Sequence, residues 1–385
     1  MYHDHGKNSS ELVKIITNSI KKKGPITFYE FMKLALYHHQ YGYYTAGTLP
    51  IGGKGDFVTS PHASKLFGSA ICCQLYEMWC LSGRGQFDLV EIGAGSGLLM
   101  MDILDYSQRV LPEFFRSLRV TIIEPIKGLK VQQQITLNGY ECGWFDDLSQ
   151  ITGISGCILS NELIDSFPVH LIRKTMDDFL EVYVDIGANG RFKEALGPLS
   201  SPSLGPYISQ FLGHVEQGYT TEVNLDLKGW LKDISKILDR GFVFTIDYGF
   251  SSQEYFNLQR SRGTLISYRG QKVTEDILAD PGAQDITHHV NFSDMVRWGK
   301  YEGIQPVGFC NQWSFFASIG IDRIMENIFP KGLSPFSPEL AGIKMLLLPQ
   351  GMGDTHKFLI QSKGIDMDKL ALTGFKVQNK IERLL

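Results

Sequence analysis

Short apolar segments alternate with helical patterns through the middle of the chain. FDLVEI at 87–92, RVTIIE at 119–124, GCILSNE at 156–162 and FVFTIDYG at 242–249 are apolar runs of strand length, and a weaker one lies within 139–148. The segments that follow the runs at 87–92 and 119–124 have the polar and apolar spacing of helices. Strands that alternate with helices form parallel sheets with crossover connections. The pattern therefore predicts an α/β fold with a Rossmann-like core and a mainly parallel sheet.

The chain has other patterns on either side of that core. Residues 10–22 and 27–36 have helical periodicity, and Thr27 with Glu30 forms a capping-box pattern at the start of the second helix. After Pro168, three apolar segments and an Asn-Gly turn predict antiparallel hairpins. The core is thus expected to carry an N-terminal helical cap and an antiparallel hairpin insertion.

These patterns also suggest domain boundaries. We assign residues 1–81 to the N-terminal helical cap and an active-site loop, and residues 82–385 to the Rossmann-like domain. That domain includes the insertion at about 169–225 and C-terminal elements from about 311. Within it, 250–282 is expected to be a loop, and 357–364 is expected to form an edge strand.

The composition narrows the functional classes. Net charge is −4, from 37 Lys+Arg against 41 Asp+Glu, so a nucleic-acid-binding surface is not indicated. Six cysteines without a C-x-x-C pair indicate reduced thiols rather than a zinc site. There is no signal-peptide pattern and no apolar run near the ~20 residues of a membrane helix. We expect a cytoplasmic protein with no membrane insertion and no metal.

The first motif with chemical meaning is Gly93-Ala94-Gly95-Ser96-Gly97, between a strand and a helix. Glycines allow the tight turn and let a ligand approach the backbone. Dinucleotide sites use G-x-G-x-x-G and place a pyrophosphate on the helix N-terminus. The G-x-G-x-G spacing here favours S-adenosylmethionine (SAM), which has no phosphate. NAD binding and a purely structural turn are the alternatives.

Two acidic positions follow at the same predicted sheet edge. Glu124 ends the second strand, where a carboxylate can accept hydrogen bonds from both ribose hydroxyls of an adenosine ligand. Asp146, beside Asp147, follows the third strand and could accept from the adenine amine. The alternatives are an unrelated acid at a strand end for Glu124, and a turn or helix cap for the aspartates.

Ser160 to Pro168, SNELIDSFP, follows the fourth strand. Glu162 and Asp165 would lie beside a methyl donor, and paired carboxylates suit a guanidinium because they fix its plane by bidentate contacts. Alternatively, Asp165 caps a turn and Glu162 is solvated. His288 and His289 are adjacent, so they would point apart in a strand. One of them could line the site, whereas a metal site is not favoured.

Together these segments resemble the MidA-like methyltransferase family. The matching blocks begin at Gly24 (GPITFYEFMKLALYHHQYGYY), Ile51 (IGGKGDFVTSP), Leu89 (LVEIGAGSG), Ser160 (SNELIDSFPVH), Ile246 (IDYG) and Pro281 (PGAQDITHHVNF). They occur in order over nearly the whole chain. The mitochondrial members of the family are complex I assembly factors that methylate arginine, thought to form symmetric dimethylarginine on a complex I subunit.

The resemblance implies a SAM-binding fold, a loop that covers the site, and a substrate face at Asn161, Glu162 and Asp165. We expect Glu162 and Asp165 to be catalytic. The residues expected at the cofactor are Gly55, Asp56, Ser60, Gly93, Gly95, Gly97, Glu124, Asp146 and Asn161. The expected acceptor is a protein, with a respiratory complex I subunit as the candidate, and a homodimer is a candidate assembly.

The chain departs from the family pattern at three positions. Ser96 replaces a basic residue that is frequent there, His62 replaces an acidic one, and Asn291 replaces the aspartate of an HVDF-like ending. The loss of two acids near a cation site suggests a different substrate. The absence of a transit segment suggests a bacterial cytoplasmic member. A SAM-binding assembly chaperone without catalysis and a small-molecule methyltransferase are the alternative functions.

Overall fold

The computed structural model describes residues 5–46, 60–270 and 272–385. Gly55 and Asp56, expected in the covering loop, lie outside these ranges. The described helices are α1 (His5–Lys23), α2 (Phe28–Tyr37), α3 (Ser60–Ala63), α4 (Leu66–Leu81), α5 (Leu98–Val110), α6 (Pro112–Ser117), α7 (Lys127–Thr136), α8 (Leu204–Phe211), α9 (Asp226–Ile237), α10 (Ser252–Tyr255), α11 (Phe292–Tyr301), α12 (Gln312–Ile319), α13 (Ile321–Ile328) and α14 (Pro338–Leu347).

The described strands form three sheets. They are β1 (Ile26–Thr27), β2 (Phe87–Ile92), β3 (Leu118–Ile123), β4 (Cys142–Phe145), β5 (Ile154–Asn161), β6 (His170–Lys174), β7 (Phe179–Ile186), β8 (Phe192–Gly197), β9 (Thr220–Val223), β10 (Leu238–Phe250), β11 (Ile266–Arg269), β12 (Lys272–Thr274), β13 (Asp285–Thr287), β14 (Val290–Asn291), β15 (Gln305–Asn311) and β16 (His356–Lys363).

The central sheet has the order β15-β16-β10-β5-β2-β3-β4. Strands β10, β5, β2, β3 and β4 pair in parallel, and β16 is antiparallel to both of its neighbours. The predicted mainly parallel sheet is confirmed. The predicted edge position of β16 is wrong, because this strand lies between β10 and β15. Its apolar run fits an interior position, where Phe358, Leu359 and Ile360 are fully buried.

The direction in which the chain adds strands reverses between β2 and β5. From β2 the chain proceeds outward through β3 and β4, whereas β5 leads to β10 on the other side. In open α/β sheets, the crevice outside the carboxyl ends at such a reversal is where ligands bind. The site should therefore lie beyond Ile92 and Asn161, the last residues of β2 and β5.

Both faces of the central sheet are covered by apolar side chains. Successive residues of β2 point to opposite faces, so Leu89 packs in one buried cluster and Val90 in the other. The first cluster includes α4, α5 and α12, and the second includes α8, α9 and α11. Coverage on two sides explains why these strands are continuous apolar runs rather than alternating ones.

The N-terminal segment and the hairpins form a shared second sheet. Strands β6, β7 and β8 are antiparallel as predicted, and β1 pairs with β7 through Ile26 and Val184. The predicted capping box is confirmed, since Thr27 Oγ1 accepts from the Glu30 amide at 3.1 Å. The expected loop at 250–282 is wrong in part, because β11 and β12 lie there and pair with each other. None of the described helices is long and apolar enough to cross a membrane.

Candidate functional site

A cavity of about 990 Å³ opens at the carboxyl edge of β2, β3, β5 and β10. This volume is at the upper end of the range for small-molecule sites, so it can hold a cofactor and part of a second reactant. One end of the cavity, the cofactor half, is lined by residues that follow β2, β3 and β4. The other end, the acceptor half, is lined by residues after β5 and near the end of β10, together with residues of α2, β13 and β16.

The glycine-rich turn forms the floor of the cofactor half. Gly93, Gly95 and Gly97 have φ angles of 70°, 53° and 84°, a backbone region that favours glycine. A Cβ on Gly93 would lie 2.8 Å from Leu163 Cδ1, so a larger residue would also require the Leu163 side chain to shift. Gly93 and Gly95 line the cavity, while Gly97 precedes the first residue of α5. The turn therefore exposes backbone at the place where the sequence predicts a ligand.

Two buried carboxylates, Glu91 and Glu124, lie within electrostatic reach of each other near this turn. Glu91 is 2% exposed, and its Oε2 has no hydrogen-bond partner among the described residues. Burial and the nearby charge of Glu124 raise the pKa of Glu91 to about 8. An orphaned, buried carboxylate oxygen on a cavity wall is suited to a cationic ligand group such as an ammonium.

Glu124 is held by the neighbouring loop and helix. Its Oε1 accepts from the Ile126 amide at 3.0 Å, and its Oε2 accepts from Gln133 Nε2 at 2.9 Å. Gln133 also donates to the Gly95 carbonyl at 3.0 Å, so one side chain links the turn to the carboxylate. Burial raises the pKa of Glu124, and these hydrogen bonds oppose that rise. Each carboxylate oxygen has a remaining lone pair for a ligand hydroxyl.

The two aspartates after β4 have different surroundings. Asp146 lines the cavity and pairs with Lys130 at 2.5 Å, with its side chain 65% exposed. Asp147 accepts from the Ser149 amide at 2.8 Å and forms a capping box with Gln150. The cap interpretation thus applies to Asp147, and Asp146 is the aspartate that is available to a ligand.

Glu162 begins the acceptor half in a constrained backbone conformation. Its φ is +47°, which is uncommon for a non-glycine residue, and its amide donates to the Ile246 carbonyl at 2.9 Å. Its Oε1 accepts from the Ser60 amide at 3.3 Å and from Asn161 Nδ2 at 3.4 Å. The side chain is 14% exposed, so Glu162 is not solvated. Such strain, held by the structure around it, is frequent at functional sites.

Asp165 is buried deeper in the same half. Tyr248 donates its hydroxyl to Asp165 Oδ2, while Asp165 Oδ1 has no hydrogen-bond partner among the described residues. The Ile164 and Asp165 amides donate to Asp247 Oδ2 at 3.0 and 3.4 Å. Burial, followed by the charge of Asp247, raises the pKa of Asp165 well above its usual value. Burial, followed by the charge of Glu162, raises the pKa of Asp247 to about 8.

The acceptor half thus concentrates carboxylates with little compensating charge. Asp285 adds a further carboxylate and accepts from the Tyr44 hydroxyl at 2.8 Å. Lys236 is the one lysine among the described residues that line the cavity, and it donates to Asp233 at 2.7 Å. Carboxylates that are destabilised by burial and by each other are stabilised when a cation binds between them.

Of the two adjacent histidines, only His289 lines the cavity. Its ring packs edge-on against Tyr248 with centroids 5.4 Å apart, and burial lowers the pKa of His289 to about 3. His288 lies outside the cavity lining, with Nδ1 2.8 Å from the His289 carbonyl oxygen. Across the described ranges, no group of three or more His, Cys, Asp or Glu side chains could hold a metal ion.

Of the three positions that depart from the family pattern, two line the cavity and one lies outside it. His62 Nε2 lies 3.4 Å from Ser96 Oγ, so two of the three positions are in contact at the cavity wall. Asn291 instead caps α11, where its Oδ1 accepts from the Ser293 amide at 3.1 Å. The expectation that Asn291 removes an acid from the cation site is wrong, because its side chain serves a helix end outside the main cavity.

Most of the chain matches the profile of a protein family. Residues 70–310 match the profile of a family described as "Putative S-adenosyl-L-methionine-dependent methyltransferase". The chain belongs to this family. The matched segment of this methyltransferase contains the glycine turn, Glu124, Asp146 and the Glu162–Asp165 loop, whereas Gly55, Asp56 and Ser60 precede it.

Relatives and solved structures agree with that assignment. The chain is 28% identical over 379 residues to the mitochondrial protein arginine methyltransferase NDUFAF7 of Mus musculus, covering 90% of this chain and 83% of the relative. The human protein of the same name is 28% identical, covering 90% and 82%. A Burkholderia thailandensis protein crystallised with S-adenosyl-homocysteine has a TM-score of 0.90 at 28% identity, covering 99% of this chain and 98% of that one.

SAM is therefore the cofactor of this methyltransferase, and the residues present fit it. The orphaned oxygen of Glu91 is suited to its ammonium, and Glu124 is suited to ribose hydroxyls. Sequence reasoning missed Glu91, although it lies only two residues before Gly93. It also missed Tyr44, Asp285 and His356, because nothing in a sequence shows that segments so far apart meet at one cavity.

Proposed function

We propose that this methyltransferase transfers methyl groups to protein arginine. The observation that supports the proposal most strongly is the acceptor half itself. Asp165 has a buried carboxylate oxygen without a partner among the described residues, and Glu162 lies beside it in a constrained conformation. A guanidinium has the charge and the planar, multiple N–H donors that such a pair of carboxylates can bind. The names of the relatives support the same acceptor.

We assign the cofactor-side roles as follows. Gly93, Gly95 and Gly97 hold the amino-acid part of the cofactor against the backbone, with Glu91 at its ammonium. Glu124 accepts from the ribose hydroxyls, and Asp146 accepts from the adenine amine. Ser60 and Asn161 lie between the two halves, where both donate to Glu162. The bound cofactor supplies an electrophilic methyl group on a sulfonium.

The acceptor-side roles follow from the carboxylates. Glu162 and Asp165 fix the plane of the guanidinium and concentrate electron density on the nitrogen that is to be methylated. Tyr248 donates its hydroxyl to Asp165 and so fixes that carboxylate. Asp247 accepts from the Ile164 amide, which holds the loop between Glu162 and Asp165. Orientation of two reactants in this way can lower the barrier by roughly 7–11 kcal/mol.

The finer proposal concerns the product and the partner. We propose symmetric dimethylarginine as the product and a respiratory complex I subunit as the acceptor protein, in line with the family resemblance. The related proteins in mouse and human are named as mitochondrial. We propose a bacterial cytoplasmic location for this chain, with a homodimer as the candidate assembly.

The direct test uses protein extract from cells in which the gene has been deleted, so that the natural acceptor is unmethylated. The purified chain is incubated with this extract and SAM carrying a labelled methyl group, and the protein fraction is hydrolysed for amino-acid analysis. Label in methylated arginine supports the proposal, and label in symmetric dimethylarginine supports the finer one.

Three results would contradict the proposed transfer to protein arginine. Label in another amino acid would change the acceptor residue. Label in the metabolite fraction would support the small-molecule methyltransferase instead. Binding of the cofactor with no S-adenosyl-homocysteine formed in the complete extract would support the assembly chaperone.

A further inference from the structure

His356 reaches the cavity from a strand for which the sequence suggested no role. Strand β16 is antiparallel to β10, so its first residue lies opposite Tyr248, near the carboxyl end of β10. The parallel strands bring their last residues to this edge, whereas β16 brings its first. An imidazole from the C-terminal part of the chain is thereby buried, at 7% exposure, in the wall of the acceptor half.

The ring of His356 is oriented toward Glu162. Its Nε2 lies 3.6 Å from Glu162 Oε1 and has no hydrogen-bond partner among the described residues. Its Nδ1 lies 3.1 Å from Thr355 Oγ1, and its ring packs edge-on against Tyr248 with centroids 5.7 Å apart. Contacts on two sides thus hold the ring. Hydrogen bonds between catalytic groups are often long before substrate binds, so 3.6 Å is within reach of a direct contact.

We propose that His356 is a positioning residue for methyl transfer, which acts through Glu162 by taking up the proton that Glu162 receives from the guanidinium. This inference rests on the proposed arginine acceptor. It adds a residue that neither the sequence motifs nor the matched family segment, which ends at residue 310, contains.

Methyl transfer to a guanidinium releases one proton. The bond from the guanidinium nitrogen to the methyl carbon forms while the bond from that carbon to sulfur breaks, and its electron pair remains on sulfur. The methylated nitrogen then releases one N–H proton to Glu162 Oε1, and the proton moves on to His356 Nε2. Glu162 is ionised again, so it can bind the methylated guanidinium for a second transfer.

The other titratable groups around His356 and Glu162 are engaged elsewhere. His62 is also within electrostatic reach of Glu162, but its Nε2 lies 3.4 Å from Ser96 Oγ, and burial lowers the pKa of His62. Tyr248 donates its hydroxyl to Asp165, and burial keeps His289 neutral by lowering its pKa to about 3. Lys357 follows on the same strand and points to the opposite face, where it donates to the Asp354 carbonyl. Burial lowers the pKa of Lys357 to about 8. Because its amine lies on the opposite face of the strand, Lys357 does not act as a base near the guanidinium.

The pairing can be tested without any acceptor. The full chain with ¹⁵N-labelled histidine is compared by NMR with Glu162→Gln at one pH, and His356→Asn identifies the His356 signal. In Glu162→Gln we expect the ¹⁵N chemical shifts of the His356 ring to change, because the carboxylate that lies 3.6 Å from its Nε2 has been replaced by an amide. The signals of the exposed His214 should stay in place. Unchanged His356 shifts would overturn the inference.

The role in transfer is tested with an arginine peptide that the wild-type chain methylates. His356→Gln should lower kcat about 100-fold and leave KM within about two-fold of wild type. Because the imidazole must be neutral to take up a proton, kcat of the wild-type chain should rise with pH, and this rise should be absent in the variant. His39→Gln, at an exposed position, is the matched control. A lower kcat with an unchanged pH profile would reduce His356 to a structural residue. If the wild-type chain methylates no arginine, the proposed function fails, and the NMR result still reports on the pair.

Discussion

The two halves of the cavity are constructed in different ways. The cofactor half comes mostly from 91–97, 124–126 and 146–149, each directly after a strand of the parallel sheet. The acceptor half combines residues from α2 and its following turn, the loop after β5, the end of β10, β13 and the start of β16. A half made of short strand-end segments depends on the central sheet alone. A half assembled from distant segments depends on the packing of all three sheets. Changes in that packing can therefore alter which acceptor binds while the cofactor site stays the same.

The largest expected effect separates the halves by function. Glu162→Gln keeps the shape of the side chain and removes the charge that holds the guanidinium. We expect methyl transfer to fall by about 1,000-fold or more, with cofactor affinity within about two-fold of wild type. Isothermal titration and a labelled-methyl assay measure the two quantities, and Glu326→Gln, at an exposed helix position, is the matched control. Undiminished transfer would exclude Glu162 from the acceptor site.

The reverse pattern is expected for Glu124→Gln in the cofactor half. Loss of charge-assisted hydrogen bonds to two hydroxyls should weaken cofactor binding by about 10- to 100-fold, since each such bond contributes roughly 1.5–3 kcal/mol and the amide retains part of it. Transfer at saturating cofactor should change much less. Titration calorimetry at fixed pH tests this, together with thermal unfolding to verify the fold. Equal affinity in the variant and the wild type would place the ribose elsewhere.

A smaller effect concerns proton release in the cofactor half. The pKa of Glu91 is raised to about 8, so at pH 7 this carboxyl is mostly protonated without ligand. An ammonium bound beside it favours the ionised form, so binding should release up to about one proton, and affinity should rise as pH increases toward about 8. Calorimetry in two buffers of different ionisation enthalpy measures the release, which should disappear in Glu91→Gln. Binding without proton release would contradict an ammonium at Glu91.

Glu91 also makes the free protein sensitive to pH. The pKa of Glu91 is raised on folding from its ordinary value of 4.5, and that of Asp247 from 3.8, so both carboxyls bind more protons in the folded than in the unfolded state up to about pH 8. The lowered pKa values of His288 and His289 oppose this effect below about pH 6.5, where the unfolded histidines bind protons. Between about pH 6.5 and 8 the carboxyls dominate, so the free energy of unfolding should decrease as pH rises through this window. We expect the melting temperature of the ligand-free chain to fall by several degrees, and by less in Glu91→Gln. A melting temperature that rises across this window would contradict the buried acids.

The smallest effect is expected at Asn291. Because its side chain caps α11 outside the main cavity, Asn291→Asp should preserve the cap and leave transfer within about two-fold of wild type. The comparison is His62→Gln, at a position that lines the cavity beside Ser96. Initial rates with the same acceptor test both. A large change at Asn291 would show that the acceptor half extends beyond the residues assigned to it.

The difference between the halves also explains what could be predicted from the sequence. The glycine turn, Glu124 and Asp146 are readable because each follows a recognisable strand, and the sheet itself follows from alternating apolar segments. Glu162 and Asp165 are readable for the same reason. Tyr44, Asp285 and His356 are not, since their positions depend on pairing between distant segments. These pairings are β1 with β7, β13 with β11, and β16 as an interior strand of the central sheet. The domain boundaries and the roles of individual site residues stay predictions.

The central claim is that the acids after β5 face the methyl group of a cofactor bound over the glycine turn. A crystal structure of the full chain with S-adenosyl-homocysteine tests it most directly. We predict the ammonium at Glu91, the ribose at Glu124 and the sulfur directed toward Glu162 and Asp165. A sulfur directed away from both carboxylates, or a ligand bound outside the glycine turn, would contradict the account.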